Sequence, residues 1–102
     1  MKTQFTKGEW VARINQLGID VFERMSGFGI VDFGNENTLF ECDYPKEEAE
    51  ANARLISAAP DLFDALINIE NDDNRIPSTI WEMRNKALNK ALGEEVFKTK
   101  AE

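Results

Sequence analysis

The feature that most constrains this chain is a switch of texture at Pro45. Upstream, from Ile19 to Tyr44, β-branched and aromatic residues are broken by glycines, as in a short antiparallel meander. Downstream, Lys46 to Asn71 has high helix propensity and few β-branched residues. Two periodicities in succession within 102 residues predict an α+β fold, in which helices cover one face of a small sheet.

Three strands are expected, over 19–25, 28–33 and 38–43, separated by Ser26-Gly27 and by Gly34-Asn35-Glu36-Asn37. In the third, Phe40, Cys42 and Tyr44 share the face expected to be buried, while Leu39, Glu41 and Asp43 share the wet one. Ahead of the meander, Thr6 and Glu9 form a capping-box pattern, Phe5 can staple onto Trp10, and Gly18 stands where a left-handed cap belongs. An N-terminal helix over 6–17 is therefore expected, with Trp10, Val11, Ile14 and Leu17 at helical spacing. The same residues allow a strand in which Trp10, Ala12 and Ile14 alternate, but that reading leaves both punctuation marks without a role.

Within the helical run, Pro60 predicts a kink or two nearly coaxial helices. Leu55, Leu62, Phe63, Leu66 and Ile69 stay in one apolar arc across it. Asn71-Asp72-Asp73-Asn74 is a polar stop. The last helix has Pro77 before it, a second capping box at Thr79 and Glu82, and Gly93 after it. Residues 1–93 are thus expected to form a single α+β domain, with 94–102 a fraying tail.

Composition restricts the chemistry. The chain has no histidine and one cysteine, which removes the commonest general base, the commonest metal ligand and any internal disulfide. Cys42 reads as a small core residue, and Ser26, Ser57 and Ser78 have no histidine to activate them. The glycines of Ser26-Gly27-Phe28-Gly29 lack the spacing of a phosphate loop and read as a hairpin turn. No enzyme activity, metal or cofactor is expected. A net charge of −7, from 19 acidic against 12 basic side chains, opposes nucleic acid and anionic lipid. No apolar run approaches a membrane span, and the first ten residues lack the apolar middle of a signal peptide. A cytoplasmic chain is expected.

Several polar residues stand where an amphipathic helix normally places apolar ones. Arg84 projects near the centre of an arc of Ile80, Trp81, Met83, Ala87, Leu88, Ala91 and Leu92, and calls for an anion. A neighbouring carboxylate such as Asp61 or Asp64 would answer that need structurally; a ligand or an oligomer partner would answer it functionally. Asn52 lies inside the arc of the preceding helix and Arg54 at its edge. A structural tie is expected of Asn52, because a buried amide must be hydrogen-bonded; Arg54 is open between tie and recognition group. The acidic residues fall into three groups, Glu47, Glu48 and Glu50; Asp61 and Asp64; Glu70, Asp72 and Asp73. They form a solvated face or a surface that competes for a basic groove.

The run Glu50-Ala51-Asn52-Ala53-Arg54-Leu55-Ile56-Ser57-Ala58-Ala59-Pro60-Asp61-Leu62-Phe63-Asp64-Ala65-Leu66 resembles the EANARLIAAAPELLEAL segment of small bacteriophage and prophage accessory proteins, departing mildly at Ser57 and Phe63. The resemblance implies a phage origin and a host-facing role in the infected bacterial cell. Small acidic phage proteins of this size often look like counter-defence factors. A stoichiometric inhibitor of a host immune protein, of nuclease or CRISPR-effector type, is therefore the leading expectation, with Glu47, Glu48, Asp72 and Asp73 as its contact surface. The alternatives are a sponge for a small cyclic-nucleotide immune signal, held by Arg54, Trp81 and Arg84, and a phage structural or replication accessory. A homodimer is expected, anchored by Phe63 and Trp81, because a small sheet leaves edges and apolar helix faces uncovered.

Overall fold

The computed structural model describes residues 4–35, 39 and 45–99. Its elements are β1 (Trp10–Asn15), β2 (Gly18–Glu23), β3 (Gly29–Gly34), α1 (Lys46–Ser57), α2 (Ala59–Ile67) and α3 (Ser78–Leu92). The fold is α+β, with a three-stranded antiparallel sheet in the order β1-β2-β3. The chain divides into two compact units. One spans 6–60 and holds the sheet and α1; the other runs from Asp61 onward and includes Phe5.

The segment expected to be an N-terminal helix is β1. Trp10 pairs with Glu23, Ala12 with Val21 and Ile14 with Ile19, so alternate residues of β1 face the core. The helical punctuation is used otherwise. Glu9 reaches Arg24 across the strand pair at 3.0 Å, and the Trp10 indole N–H donates to the Thr6 carbonyl. Phe5 packs edge-on to Phe63 with ring centroids 5.1 Å apart. Gly18 closes a two-residue hairpin loop, where the Asn15 side-chain oxygen accepts from the Leu17 and Gly18 amides. A Cβ at Gly18 would lie 3.1 Å from the Gly34 carbonyl oxygen. Leu17, which helical spacing placed on an apolar face, projects from this turn at 88% exposure.

The Ser26-Gly27 turn joins β2 to β3 around a buried carboxylate. Glu23 accepts from the Met25 and Ser26 amides and from the Ser26 hydroxyl, at 2.8–3.0 Å. Those bonds, the Met25 amide foremost, hold its carboxyl below the ordinary value. Gly27 takes φ 73° and Gly8, φ 112°, lies against Glu23, where any Cβ would collide with the carboxylate. On the opposite face of the sheet Arg13 makes a bidentate pair with Asp20 at 2.8 and 2.9 Å and lies over the Phe22 ring.

Of the strand expected over 38–43, only Leu39 is among the described residues. Its amide donates to the Asn35 carbonyl at helical spacing, and its side chain is buried in the core rather than wet. Cys42 lies outside the described residues. That core comprises Ile19, Val21, Leu39, Ala49 and Ala53, with Trp10, Ala12, Ile14, Ile30, Val31, Phe33 and Ile56 against it. Ala49 and Ala53, one turn apart and fully buried, carry α1 onto β1 and β2. Leu55 of the expected apolar arc is 64% exposed.

The helical run breaks at Ala58, and Pro60 falls in the first turn of α2, where its missing N–H leaves no bond unmade. The second capping box does not form either: α3 starts at Ser78 behind Pro77 with no side-chain cap. Gly93 ends α3 at φ 78° in the left-handed cap expected of it.

Candidate protein-binding surface

In the unit from Asp61 onward, α2 and α3 are joined by the polar segment 68–77 and followed by a short C-terminal stretch. Arg84 organises them. It is 8% exposed, and its guanidinium donates from Nε to the Leu66 carbonyl at 3.0 Å, from Nη2 to that of Ile67 at 3.3 Å, and from Nη1 to the Asn85 side-chain oxygen at 2.7 Å. Leu66 and Ile67 are the last residues of α2, so a side chain from α3 caps carbonyls at the helix end, where that of Leu66 otherwise accepts only a long bond, 3.4 Å, from the Ile69 amide. The guanidinium carbon also lies 4.4 Å from the Trp81 ring centroid and 4.5 Å from that of Phe97. Burial lowers its pKa from the ordinary value. Asp61 and Asp64, expected as its structural partners, are both exposed and bind it through no hydrogen bond or ion pair; the anionic role falls to backbone carbonyls and aromatic faces.

The stretch expected to fray is tied to α3 as far as Lys98. Asn89 accepts from the Val96 and Phe97 amides and donates to the Phe97 carbonyl, while Asn85 donates to the Lys98 carbonyl. Asn85, Asn89 and Phe97 therefore hold the neighbourhood of Arg84 together. Their signal in the sequence is an asparagine pair at i and i+4 on one helix face, which apolar periodicity passes over.

Beside Arg84 lie two adjoining concavities. One, of about 320 Å³, is lined by Leu66, Ile69, Ile76, Ile80, Met83 and Ala87, with Trp81 and Arg84 at its inner edge. Its rim residues Ile80 and Met83 are 52% and 61% exposed. The other, about 620 Å³ and wider, shares Ile69, Trp81 and Arg84 with the first and adds Glu70, Asp72, Asn74, Asn85 and Lys98. An apolar cleft thus adjoins a hollow lined by two carboxylates, Glu70 and Asp72, and two cations, Arg84 and Lys98.

The remaining expected site residues are distributed over both units. Glu47 and Glu48 are exposed in the first turn of α1, where they complement the helix dipole. Asp72 and Asp73 are exposed on the connection after α2, with Asp73 3.6 Å from Arg75. Arg54 is exposed in the last turn of α1, and Asn52 is half-buried on the same helix and engaged rather than free. Trp81 and Arg84 are in contact, whereas Arg54 belongs to the other unit. Phe63, expected as an oligomer anchor, is buried against Phe5 inside its own unit. No group of side chains suited to a metal occurs among the described residues, and none of their helices is long and apolar enough to cross a membrane.

No curated protein and no solved structure matches the sequence. Over residues 1–95, nearly its whole length, it matches the sequence model of a phage family, and on that match the chain belongs to the family of Salmonella phage P22 protein Y8K6.

Proposed function

We propose that this phage protein acts in the infected host cell by stoichiometric binding, blocking a host immune protein rather than catalysing a reaction. The observation that carries the reading is the apolar cleft of α2 and α3 beside the carboxylates of Glu70 and Asp72. Exposed apolar side chains can supply affinity through burial, and a net charge of −7 supplies encounter rate toward a basic partner. The proposed contact residues are Asp72 and Asp73 in this unit and, in the other, Glu47 and Glu48, all of them solvent-facing. Binding of a cyclic nucleotide through Arg54, Trp81 and Arg84 is less well supported, because the Arg84 guanidinium is engaged by Leu66, Ile67 and Asn85.

The test is affinity capture from an extract of a defence-competent host, with the immune activity of the captured protein assayed with and without this chain. A captured immune protein whose activity falls at a one-to-one ratio, and whose binding weakens as salt rises, is expected. Recovery of no host protein overturns the reading.

A further inference from the structure

Resting on the binding function just proposed for the identity of the partner, we infer that Arg84, Asn85 and Asn89 of α3 form a site for a non-helical peptide segment. In the free chain its own residues 96–98 fill that site. A segment of the partner protein that carries one aromatic side chain displaces them, so the C-terminal stretch is an internal stand-in for the partner.

The segment seated there defines the chemistry that the site accepts. Asn89 engages both polar groups of one peptide residue: its side-chain oxygen accepts from the Phe97 amide at 2.9 Å, and its nitrogen donates to the Phe97 carbonyl at 2.8 Å. The same oxygen accepts from the Val96 amide at 3.0 Å, and Asn85 donates to the Lys98 carbonyl at 3.3 Å. All four bonds go to main chain, so they select a backbone with free N–H and C=O groups and not a side-chain sequence. A helical segment, whose groups are already paired, offers Asn89 nothing. The side chain that is recognised is that of Phe97, whose ring centroid lies 4.5 Å from the Arg84 guanidinium carbon. Val96 and Lys98 on either side are exposed.

The receiving side stands without its occupant. The Leu66 and Ile67 carbonyls and the Trp81 ring fix Arg84, and its Nη1 donates to the Asn85 side-chain oxygen at 2.7 Å, which turns the Asn85 amide nitrogen toward the stretch. The occupant is the detachable half. Among the described residues beyond Gly93 there is no helix or strand, Glu94 and Glu95 are exposed, and Phe97 is only half-buried. An incoming segment with the same backbone groups and an aromatic ring restores each interaction that leaves, so displacement is an exchange and strands no polar group.

The experiment is calorimetric titration of the full-length Phe97→Ala chain with a synthetic peptide of residues 93–99, and with the same peptide carrying alanine for phenylalanine. The first peptide is expected to bind and to raise the melting temperature of the variant; the second is not. The native chain, whose tethered segment competes at an effective concentration of about millimolar, should bind the first peptide at least about tenfold more weakly than the variant does. Adding Asn89→Ala to Phe97→Ala should abolish binding. In the native chain, amide exchange across 96–98 should quicken as the peptide is added at millimolar concentration. A Phe97→Ala chain that binds neither peptide or both equally overturns the inference, as does undiminished affinity in the double variant. Unaltered exchange across 96–98 also overturns it, and that measurement decides alone if Phe97→Ala does not keep the native circular dichroism. A host immune protein captured equally well by the native chain and by Asn89→Ala leaves the proposed function standing and overturns this inference. Peptide binding with no host protein captured upholds this site and overturns that function.

Discussion

At the scale of single residues, two buried charges are held mainly by main-chain groups. Glu23 accepts two amides of its own turn, and Arg84 donates to two carbonyls at the end of α2. Because the folded carboxyl of Glu23 titrates below its ordinary value of 4.5, its stabilising effect is present above that value. It is lost as pH falls through the lower folded pKa. Glu23→Gln should therefore melt below the native chain at neutral pH, with the gap closing in acid; melting curves between neutral pH and the acid range check this. Arg84→Ala should be destabilised by about 2 kcal/mol or more, because the Ile67 carbonyl loses its donor, that of Leu66 keeps only the long bond from the Ile69 amide, and two ring contacts disappear. Arg84→Lys, whose donors all sit on one nitrogen and which lacks the planar fork that spans these acceptors between two rings, should recover only part of that loss in denaturant titrations. Thermal-shift screening with cyclic dinucleotides should be flat, since these N–H groups are occupied in the folded chain.

At the scale of elements, α1 meets the sheet through alanines, and α3 holds the C-terminal stretch through asparagines. The first contact is close because Ala49 and Ala53 have almost no side chain to interpose. Ala53→Leu should overpack it and cost about 1–3 kcal/mol, whereas Leu55→Ala, on the exposed side of α1, should be near neutral. Chemical denaturation of the two variants separates the outcomes. Asn89→Ala removes three hydrogen bonds to Val96 and Phe97. Faster amide exchange and proteolysis across 94–98 should follow, with a much smaller change in global melting.

For the whole molecule, charge dominates what can be anticipated. The sequence isoelectric point is about 4.6, so acidification from neutral pH removes the negative charge on which the proposed encounter with a basic partner rests. The association rate with a captured partner should fall as pH approaches that value, and the free chain should reach its solubility minimum there; stopped-flow mixing and turbidity measure the two. Membership in a phage family over residues 1–95 bears out the phage origin that the resemblance at 50–66 implies, and not that segment itself, which spans only the later part of α1 and most of α2.

What the sequence by itself determined are features carried by local backbone chemistry: the α+β class from the change of period at Pro45, the hairpin at Ser26-Gly27, and the end of α3 at Gly93. Glycine at positive φ and runs of helix or strand formers act within a few residues, so they are legible without a partner. The identity of β1 was decided elsewhere. Thr6, Glu9 and Gly18 carry a complete helical signature, yet Trp10, Ala12 and Ile14 gain more by pairing with Glu23, Val21 and Ile19 and covering a shared core. The partners of Arg84 were equally hidden, because sequence periodicity locates a side chain on its own helix but cannot show that another helix ends beside it. Only the packing of α3 against the last turn of α2 brings the two terminal carbonyls within reach, and with them the cleft that stands beside Trp81.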